Sequence, residues 1–236
     1  SVSVQQAMTE IESCAAAGIT ECFDDSGTLR IGPWMHDLCD ALRRFNGGKR
    51  GNSAPMMVGC NMRPGAISRE EYQLLGASGF RFILFGLESA NQTTLNRLNK
   101  GQSPGDLERA VRWATEAGLE PHVTAMIGYQ WESKSDAERT VALAKRLFRR
   151  GWIKTLQCTI CIPYPGTVIY QQCLDNNWLK YQPGDWNAWD MRRPVMHCPM
   201  TDAEVLSLVR SVYTSYFTPR NLLRQLKELM TVDGRR

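Results

Sequence analysis

Apolar runs that are expected to form strands alternate with helical patterns along most of this chain, and this alternation restricts its possible folds. The five strand-like runs are Ile19–Phe23, Met56–Cys60, Phe80–Phe85, Leu119–Ile127 and Thr155–Ile162. Each of the first four is followed by a segment with helical periodicity, so that helices join consecutive strands. Such a series favours right-handed βαβ crossovers and a parallel sheet. The sequence therefore predicts an α/β fold, either an open doubly wound sheet or a barrel.

A helix is predicted at the start of the chain, and a change of pattern later divides the chain into two ranges. Ser3 is a candidate N-cap for a helix over Val4–Ala17. The alternation gives way at Trp178–Pro199 to a segment rich in Trp and Pro, and two helical patterns follow it. We therefore predict a barrel-like domain over residues 1–177 and a mostly helical C-terminal extension over residues 178–236.

Composition and charge exclude several classes of protein. The 236 residues, 43% hydrophobic and 22% charged, suit one globular domain with a small appendage. No run approaches the ~20 apolar residues of a membrane span, and the first residues lack the pattern of a signal peptide. The net charge of +4 is mild, and the basic residues are scattered apart from Arg149–Arg150 and the segment Arg220–Arg236. A nucleic-acid footprint requires a clustered basic patch. We therefore expect a cytoplasmic protein without a nucleic-acid partner.

The eight cysteines fit a reducing compartment, since no secretion signal accompanies them. Only Cys158 and Cys161 lie within four positions of each other, in a run that is expected to form a strand. Residues three apart on a strand point to opposite faces, so this pair is poorly placed to share a metal ion. We interpret both as core cysteines, and the spacing of the cysteines predicts no metal site.

Polar side chains follow the predicted strands at their carboxyl ends, where parallel α/β folds form their ligand sites. Asp24 and Asp25 after the first strand, and Asn61 after the second, each have a plain interpretation as turn residues. Glu88 differs, because it ends an apolar run where a carboxylate is costly unless something bonds to it. Lys100 supplies a cation on the same loop. Together Glu88 and Lys100 would suit a ligand with hydroxyl groups and an amino-acid end.

Four ordered motifs in these loops resemble a known family. The string Phe85–Gln92, with Lys100–Gly101 after it, resembles the middle of a radical S-adenosylmethionine (SAM) barrel. The loops Met126–Glu132 and Ile162–Thr167 resemble the two loops that follow in that family. The segment Trp189–Met196 is similar to the cobalamin-dependent branch that includes the anaerobic magnesium-protoporphyrin ester cyclase. The resemblance covers nearly the whole chain.

This resemblance implies a partial (β/α)6 barrel whose first strand is missing and which a helical extension follows. Members bind a [4Fe–4S] cluster through three cysteines and S-adenosylmethionine through the open iron, and reductive cleavage yields a 5′-deoxyadenosyl radical. The cluster motif Cys-x3-Cys-x2-Cys does not occur here and is expected upstream of Ser1. The cluster's ligands would then lie outside this chain, and the fragment alone would be inactive. The resemblance also implies a small-molecule substrate, a reductant such as flavodoxin or ferredoxin, and, with an upstream domain, cobalamin.

Carried over by motif, the resemblance assigns cofactor contacts to several strand ends. Glu88 would bond the ribose hydroxyls, since a carboxylate accepts two such bonds, and Lys100 would face the methionine carboxylate as a point charge. The remaining predicted contacts are Asn61 and Arg63 for the methionine end, Ser89 beside Glu88, Thr124 for the ribose or adenine, and Ile127, Gly128, Ile162 and Pro163 for the adenine. Gln130 stands where the family's Gly-x-Pro-x-Glu loop has proline, which would loosen that turn.

Other interpretations stay open on the sequence. The same barrel carries cyclases, methyltransferases and methylthiotransferases, although the last usually add an RNA-binding domain that two helices do not resemble. A non-catalytic α/β binding module would never have carried a cluster. A phosphate-binding barrel would need a late Gly-rich loop, for which Pro163–Gly166 is too rigid. Trp178, Trp186 and Trp189 would line a pocket for a large flat substrate or, as we favour, pack the extension.

Overall fold

The five predicted strands form one sheet. The structure is a computed structural model and describes residues 2–48 and 54–232. The strands are β1 (Glu21–Thr28), β2 (Met57–Asn61), β3 (Phe80–Glu88), β4 (Glu120–Ile127) and β5 (Thr155–Ile160). Their order in the sheet is β1-β2-β3-β4-β5, and β2 pairs in parallel with both β1 and β3. Neighbouring strands are thus consecutive in the chain, and the predicted α/β class is confirmed.

Helices join the strands at the predicted places. The α-helices of the described chain are α1 (Val4–Ala16), α2 (Pro33–Gly47), α3 (Arg69–Ser78), α4 (Gln92–Arg97), α5 (Pro104–Glu116), α6 (Lys134–Arg150), α7 (Val168–Asp175), α8 (Asp202–Tyr213) and α9 (Pro219–Val232). Ser3 caps α1 as predicted: its hydroxyl accepts from the Gln6 N–H, and its own backbone N–H donates to the Gln6 side chain in a capping box. The same box begins α3, α6 and α8. No helix of the described residues is long and apolar enough to cross a membrane.

The chain forms two compact units, each built from several stretches of sequence. The first unit comprises Ser1–Gly86, Gly105–Val123 and Trp152–Thr155, and the second comprises Leu87–Pro104, Thr124–Gly151 and Leu156–Arg236. Residues 1, 49–53 and 233–236 of these ranges lie outside the described residues. The predicted boundary between residues 177 and 178 stays a prediction.

A row of side chains crosses one face of the sheet in the first unit. Phe23 of β1 meets Phe82 of β3 edge to face, with 5.7 Å between ring centroids. A Cβ atom at Gly59 of β2 would lie 2.7 Å from the Phe23 ring, so only glycine leaves room between the two aromatic rings. His122 of β4 lies 5.7 Å from Phe82 and places its Nδ1 2.6 Å from the hydroxyl of Thr155 in β5. The row therefore joins all five strands.

Charge and close backbone contact hold other parts of the first unit. Arg81, near the start of β3, pairs with Glu21 of β1 and Glu120 of β4, each at 2.5 Å. Gly76 of α3 faces the carbonyl of Ala117, which would lie 2.2 Å from an added Cβ. Helix α3 can therefore approach the end of α5 only with glycine at that position.

The second unit has its own apolar cluster, which includes the Trp- and Pro-rich segment. Trp189 is buried in this cluster and Trp178 is partly buried against it, whereas Trp186 is 58% exposed. Two backbone hydrogen bonds fold the segment on itself, from the Lys180 N–H to Val195 and from the His197 N–H to Trp178. Two of the three tryptophans therefore pack the extension, as we favoured.

Candidate functional site

Glu88 ends β3 in a conformation that few residues other than glycine adopt. Its φ angle is 56°, in the left-handed region that is unfavourable for a side chain with a Cβ atom. The Ser89 N–H donates to the Leu87 carbonyl at 2.6 Å, which closes a three-residue turn around Glu88. A γ-turn with positive φ at its centre is rare and strained. Such strain tends to lie at functional sites, where surrounding contacts maintain it.

The Glu88 carboxylate forms an ion pair with Lys100. The Lys100 Nζ donates to Glu88 Oε1 at 2.8 Å, and the Glu88 side chain is 15% exposed against 41% for Lys100. Lys100 is held near the end of α4 by a hydrogen bond from its backbone N–H to Leu95. The sequence predicted that these two residues share a loop, and the structure brings them into contact. An anionic hydrogen-bond acceptor and a cation therefore lie side by side at the end of β3.

Ser89 supports the turn from behind. Its side chain is fully buried, and its hydroxyl contacts the Thr140 hydroxyl at 3.3 Å. The same oxygen accepts hydrogen bonds from the backbone and side-chain nitrogens of Asn91, both at 3.1 Å. These partners already engage the Ser89 hydroxyl. The predicted direct contact of Ser89 with a cofactor stays a prediction.

The loop after β4 is closed by a buried carboxylate. The Gly128 N–H donates to Glu132 Oε2 at 2.8 Å, and the Glu132 side chain is fully buried. Loss of solvent raises the pKa of Glu132 to about 7, against the opposing effect of hydrogen bonds from the loop backbone. Its other oxygen, Oε1, has no hydrogen-bond partner in the described part of the chain. Glu132 belongs to one of the motifs of the sequence, but its burial was not predicted.

Gln130 and Thr124 flank the predicted adenine-contacting backbone on the same strand and loop. The Gln130 amide nitrogen and oxygen are both buried and lack partners within the described residues. Thr124 is half-buried, on the face of β4 opposite the buried Ala125 and Ile127. Gly128 has a φ of 91°, which glycine adopts without strain. The predicted cofactor contacts of Thr124, Ile127 and Gly128 stay predictions.

A cation–aromatic stack lies beside this loop, and sequence reasoning missed it. Trp131 stacks on Tyr129 with 5.3 Å between centroids and 12° between planes. The Arg97 guanidinium carbon lies 5.1 Å from the centroid of the Trp131 ring, within the range of a cation–π contact. The Trp131 Nε1 donates to the Thr94 hydroxyl at 3.1 Å. Helix α4, which bears Thr94 and Arg97, was not predicted, and its six residues give too short a pattern to detect.

The start of the loop after β5 lies beside the end of β4. The Cys161 N–H donates to the Ile127 carbonyl at 2.8 Å, which extends the contact of the two strands past the end of β5. Ile162 and Pro163 are buried directly after this bond. Their predicted contact with adenine stays a prediction.

Asn61 and Arg63 belong to the first unit. Asn61 ends β2, where its carbonyl accepts from the Leu29 N–H at 2.9 Å, and Arg63 is exposed two residues later. Their predicted contact with the methionine end stays a prediction. Asp24 and Asp25 lie within β1 rather than in a turn after it, because the strand continues to Thr28. The Asp24 carboxylate accepts from the Ser26 N–H at 3.0 Å.

Cys158 and Cys161, the two cysteines closest in sequence, are core residues. Cys158 and Cys161 are buried, and loss of solvent raises the pKa of both thiols, that of Cys158 to about 12. Within residues 2–48 and 54–232, no group of three or more His, Cys, Asp or Glu side chains could hold a metal ion.

The chain is similar in sequence to several known proteins. The chain matches the sequence profile of the Radical SAM superfamily over residues 1–144. It is 32% identical over 152 residues to an uncharacterized methyltransferase of Pyrococcus horikoshii, a match that covers 64% of this chain and 32% of the relative. It is 24% identical over 173 residues to the anaerobic magnesium-protoporphyrin IX monomethyl ester cyclase of Rubrivivax gelatinosus, covering 72% and 30%. The chain therefore spans about a third of the length of these relatives.

Solved structures share the fold. The radical SAM methyltransferase TsrM of Kitasatospora setae, with cobalamin and a [4Fe–4S] cluster bound, aligns with a TM-score of 0.62 and 20% identity, over 90% of this chain and 41% of that chain. Coproporphyrinogen III oxidase HemN of Escherichia coli aligns with a TM-score of 0.59 and 13% identity, over 90% and 46%. Both likenesses confirm the predicted relation of this α/β fold to radical SAM barrels.

Proposed function

Because this chain belongs to the Radical SAM superfamily, we propose that it forms part of the barrel of an enzyme that binds S-adenosylmethionine and cleaves it reductively. When cleaved, S-adenosylmethionine supplies methionine and a 5′-deoxyadenosyl radical that takes a hydrogen atom from substrate. The substrate would be a small molecule, and the reaction would be of the methyltransferase or cyclase type, the two activities named among the relatives. The chemistry belongs to the cofactors, while the protein binds, orients and shelters them.

The observation that carries this proposal is the Glu88–Lys100 pair at the end of β3. The donor set fits S-adenosylmethionine, since a carboxylate can accept two bonds from ribose hydroxyls and an ammonium group can face the methionine carboxylate. Backbone strain at Glu88 supports a binding role, because a glycine or asparagine would satisfy the turn alone at lower cost. The buried, Glu132-closed loop after β4 would then hold Ile127 and Gly128 rigidly beside the ligand.

The described residues do not fit the [4Fe–4S] cluster, because they contain no group of three or more metal-binding side chains. We propose that the three cysteine ligands belong to a segment upstream of Ser1. A flavodoxin or ferredoxin would deliver the electron, in the cytoplasm. TsrM contains cobalamin, and we propose that an upstream domain supplies cobalamin to this barrel also.

The decisive experiment compares cofactor affinity in variants of the full-length parent, loaded with its cluster under anaerobic conditions. Glu88→Ala should weaken binding of S-adenosylmethionine by about tenfold or more, since it leaves the ribose hydroxyls without a charged acceptor. Glu116→Ala is the matched control, because Glu116 forms a comparable 2.8 Å ion pair with Arg69 on exposed helix surface. Equal affinities of Glu88→Ala and the control would remove Glu88 from the site and refute the proposal.

A second comparison tests Lys100. Lys100→Met should weaken binding of S-adenosylmethionine more than binding of its decarboxylated analogue, because only the former offers a carboxylate to the ammonium group. An equal loss for both ligands would show that Lys100 acts only by holding Glu88.

The location of the cluster ligands is tested with the chain Ser1–Arg236 itself. Anaerobic reconstitution with iron and sulfide should leave this chain colourless. A stable brown species with four irons per chain would contradict the proposal that the ligands lie upstream.

A further inference from the structure

The strained backbone at Glu88 requires an outside support. A non-glycine residue in the left-handed region is strained and persists only where neighbouring contacts hold it there. In this chain the neighbouring contacts come from α6, whose Thr140 is 51 positions beyond Ser89. Helix α6 begins at Lys134 and presents Thr140 to the two residues after Glu88.

Thr140 meets both residues that follow Glu88. Its hydroxyl accepts from the Ala90 N–H at 3.0 Å and contacts the Ser89 hydroxyl at 3.3 Å. It also donates to the carbonyl of Asp136, one turn earlier in α6, at 3.2 Å. Thr140 and Ser89 are both fully buried, so water does not replace any of these bonds.

Counting donors and acceptors assigns every proton in this small network. A hydroxyl has one donor and two acceptor positions. Since the Thr140 proton goes to Asp136, the bond between the hydroxyls must use the Ser89 proton. The two acceptor positions of Ser89 then take the Asn91 backbone and side-chain N–H groups. In this arrangement every donor and acceptor of the two hydroxyls has a partner.

Asn91 links the same network to the first turns of α6. Its Nδ2 also donates to the Asp136 carbonyl at 3.0 Å, and its Oδ1 accepts from the Arg139 Nε at 2.7 Å. All hydrogen-bonding atoms of the Asn91 side chain are thereby engaged. The segment after Glu88 is fixed to α6 on two sides.

We propose that Thr140 is a positioning residue for Glu88: it holds the turn at residue 88 in the strained conformation that aims the carboxylate at the ribose of S-adenosylmethionine. This inference rests on the proposed function and adds a residue to it. Without the Thr140 hydroxyl, the Ala90 N–H and the Ser89 proton lose their buried acceptor. The turn then relaxes, and Glu88 leaves the position in which it accepts two ribose bonds.

The test measures discrimination between ligands in the full-length holoenzyme. The ligands are S-adenosylmethionine and its 2′-deoxy analogue, and the readout is the ratio of their dissociation constants. Wild type should prefer S-adenosylmethionine about tenfold, the value of one charge-assisted hydrogen bond of about 1.4 kcal/mol. Thr140→Val, which keeps the shape and removes the hydroxyl, should bring this ratio close to one. Thr140→Ser, which keeps the hydroxyl, should restore the preference.

Thr115→Val is the matched control. Thr115 is a helical threonine whose hydroxyl donates to the Val111 carbonyl and also lies 2.8 Å from the Trp152 carbonyl, and it belongs to the first unit. Its replacement should lower stability as a lost buried bond does, and leave the ligand ratio unchanged. An equal loss of discrimination in Thr115→Val would overturn the proposal, because general destabilisation would then account for the effect.

Glu88→Ala separates the failure of this inference from that of the proposed function. If Glu88→Ala keeps wild-type affinity and discrimination, the proposed function fails, and this inference fails with it. If Glu88→Ala loses discrimination while Thr140→Val retains it, the proposed function stands and the positioning role of Thr140 is wrong. The double variant should bind no worse than Glu88→Ala, and additive losses would also overturn the inference. Should Thr140→Val fail to fold, Asn91→Ala decides: retained discrimination in that variant refutes the network's role.

Discussion

The buried carboxyl group of Glu132 should make the stability of this protein depend on pH. Glu132 is fully buried against the loop after β4, and loss of solvent raises its pKa to about 7 from 4.5. The unfolded chain therefore ionises this group at lower pH than the folded chain does. Stability from this group is fully present below pH 4.5 and is lost as the pH rises through 7.

The size of the effect follows from the two pKa values. One pKa unit corresponds to about 1.4 kcal/mol, so the raised pKa of Glu132 amounts to about 3 kcal/mol in total. Linkage over the titration range places most of this loss, about 2–3 kcal/mol, between pH 5 and pH 8. Glu132→Gln cannot ionise, and its side-chain oxygen can still accept from the Gly128 N–H. The variant should therefore lose the pH dependence that belongs to this residue.

Urea unfolding at pH 5 and pH 8 measures this difference directly. From pH 5 to pH 8 the free energy of unfolding of wild type should fall by about 2–3 kcal/mol more than that of Glu132→Gln. The control is Glu138→Gln, an exposed position in α6, which should retain the wild-type change. Identical pH dependence in Glu132→Gln and wild type would refute the argument that burial keeps this carboxyl group protonated.

Three further perturbations have definite expected outcomes. Gly76→Ala should lower the free energy of unfolding by about 2 kcal/mol, because its Cβ would lie 2.2 Å from the Ala117 carbonyl, whereas Gly47→Ala meets nothing within 4 Å and should be neutral or stabilising in the same urea titration. Arg81→Met should destabilise by about 1 kcal/mol at low salt and less at high salt, since its two carboxylate partners lose a partly exposed cation; an effect independent of salt would contradict this ion-pair account. Trp131→Leu should lower the thermal unfolding temperature and reduce the near-ultraviolet circular dichroism from the stack with Tyr129, at a cost of about 2 kcal/mol, and an unchanged aromatic spectrum would show that the stack is absent in solution.

Local signals in the sequence predicted much of the fold. The Ser3 cap needs only residues three positions apart, and it was predicted correctly because that information is contiguous. Strand β3 was predicted to end at Phe85 and continues to Glu88, since a strand's end depends on its neighbours rather than on its own residues. Helix α4 was missed because six residues carry too little periodicity.

The candidate site shows the same division. Glu88 and Lys100 were predicted from a motif twelve residues apart, and their contact at 2.8 Å confirms their proximity. Thr140 could not be predicted, because its contact with Ser89 spans 51 positions and depends on how α6 packs. Likewise, the pKa of Glu132 depends on tertiary burial that a single sequence does not display.

The positive φ at position 88 favours glycine over every residue that has a Cβ atom. Glycine adopts that conformation freely, so Glu88→Gly should stabilise the turn, and glutamate carries a folding disadvantage at this position. If Glu88 binds the ligand as proposed, the binding energy would offset this disadvantage. In descendants that no longer bind the ligand, glycine or asparagine should accumulate at position 88 sooner than changes at core positions such as Ile83, where folding itself restrains substitution.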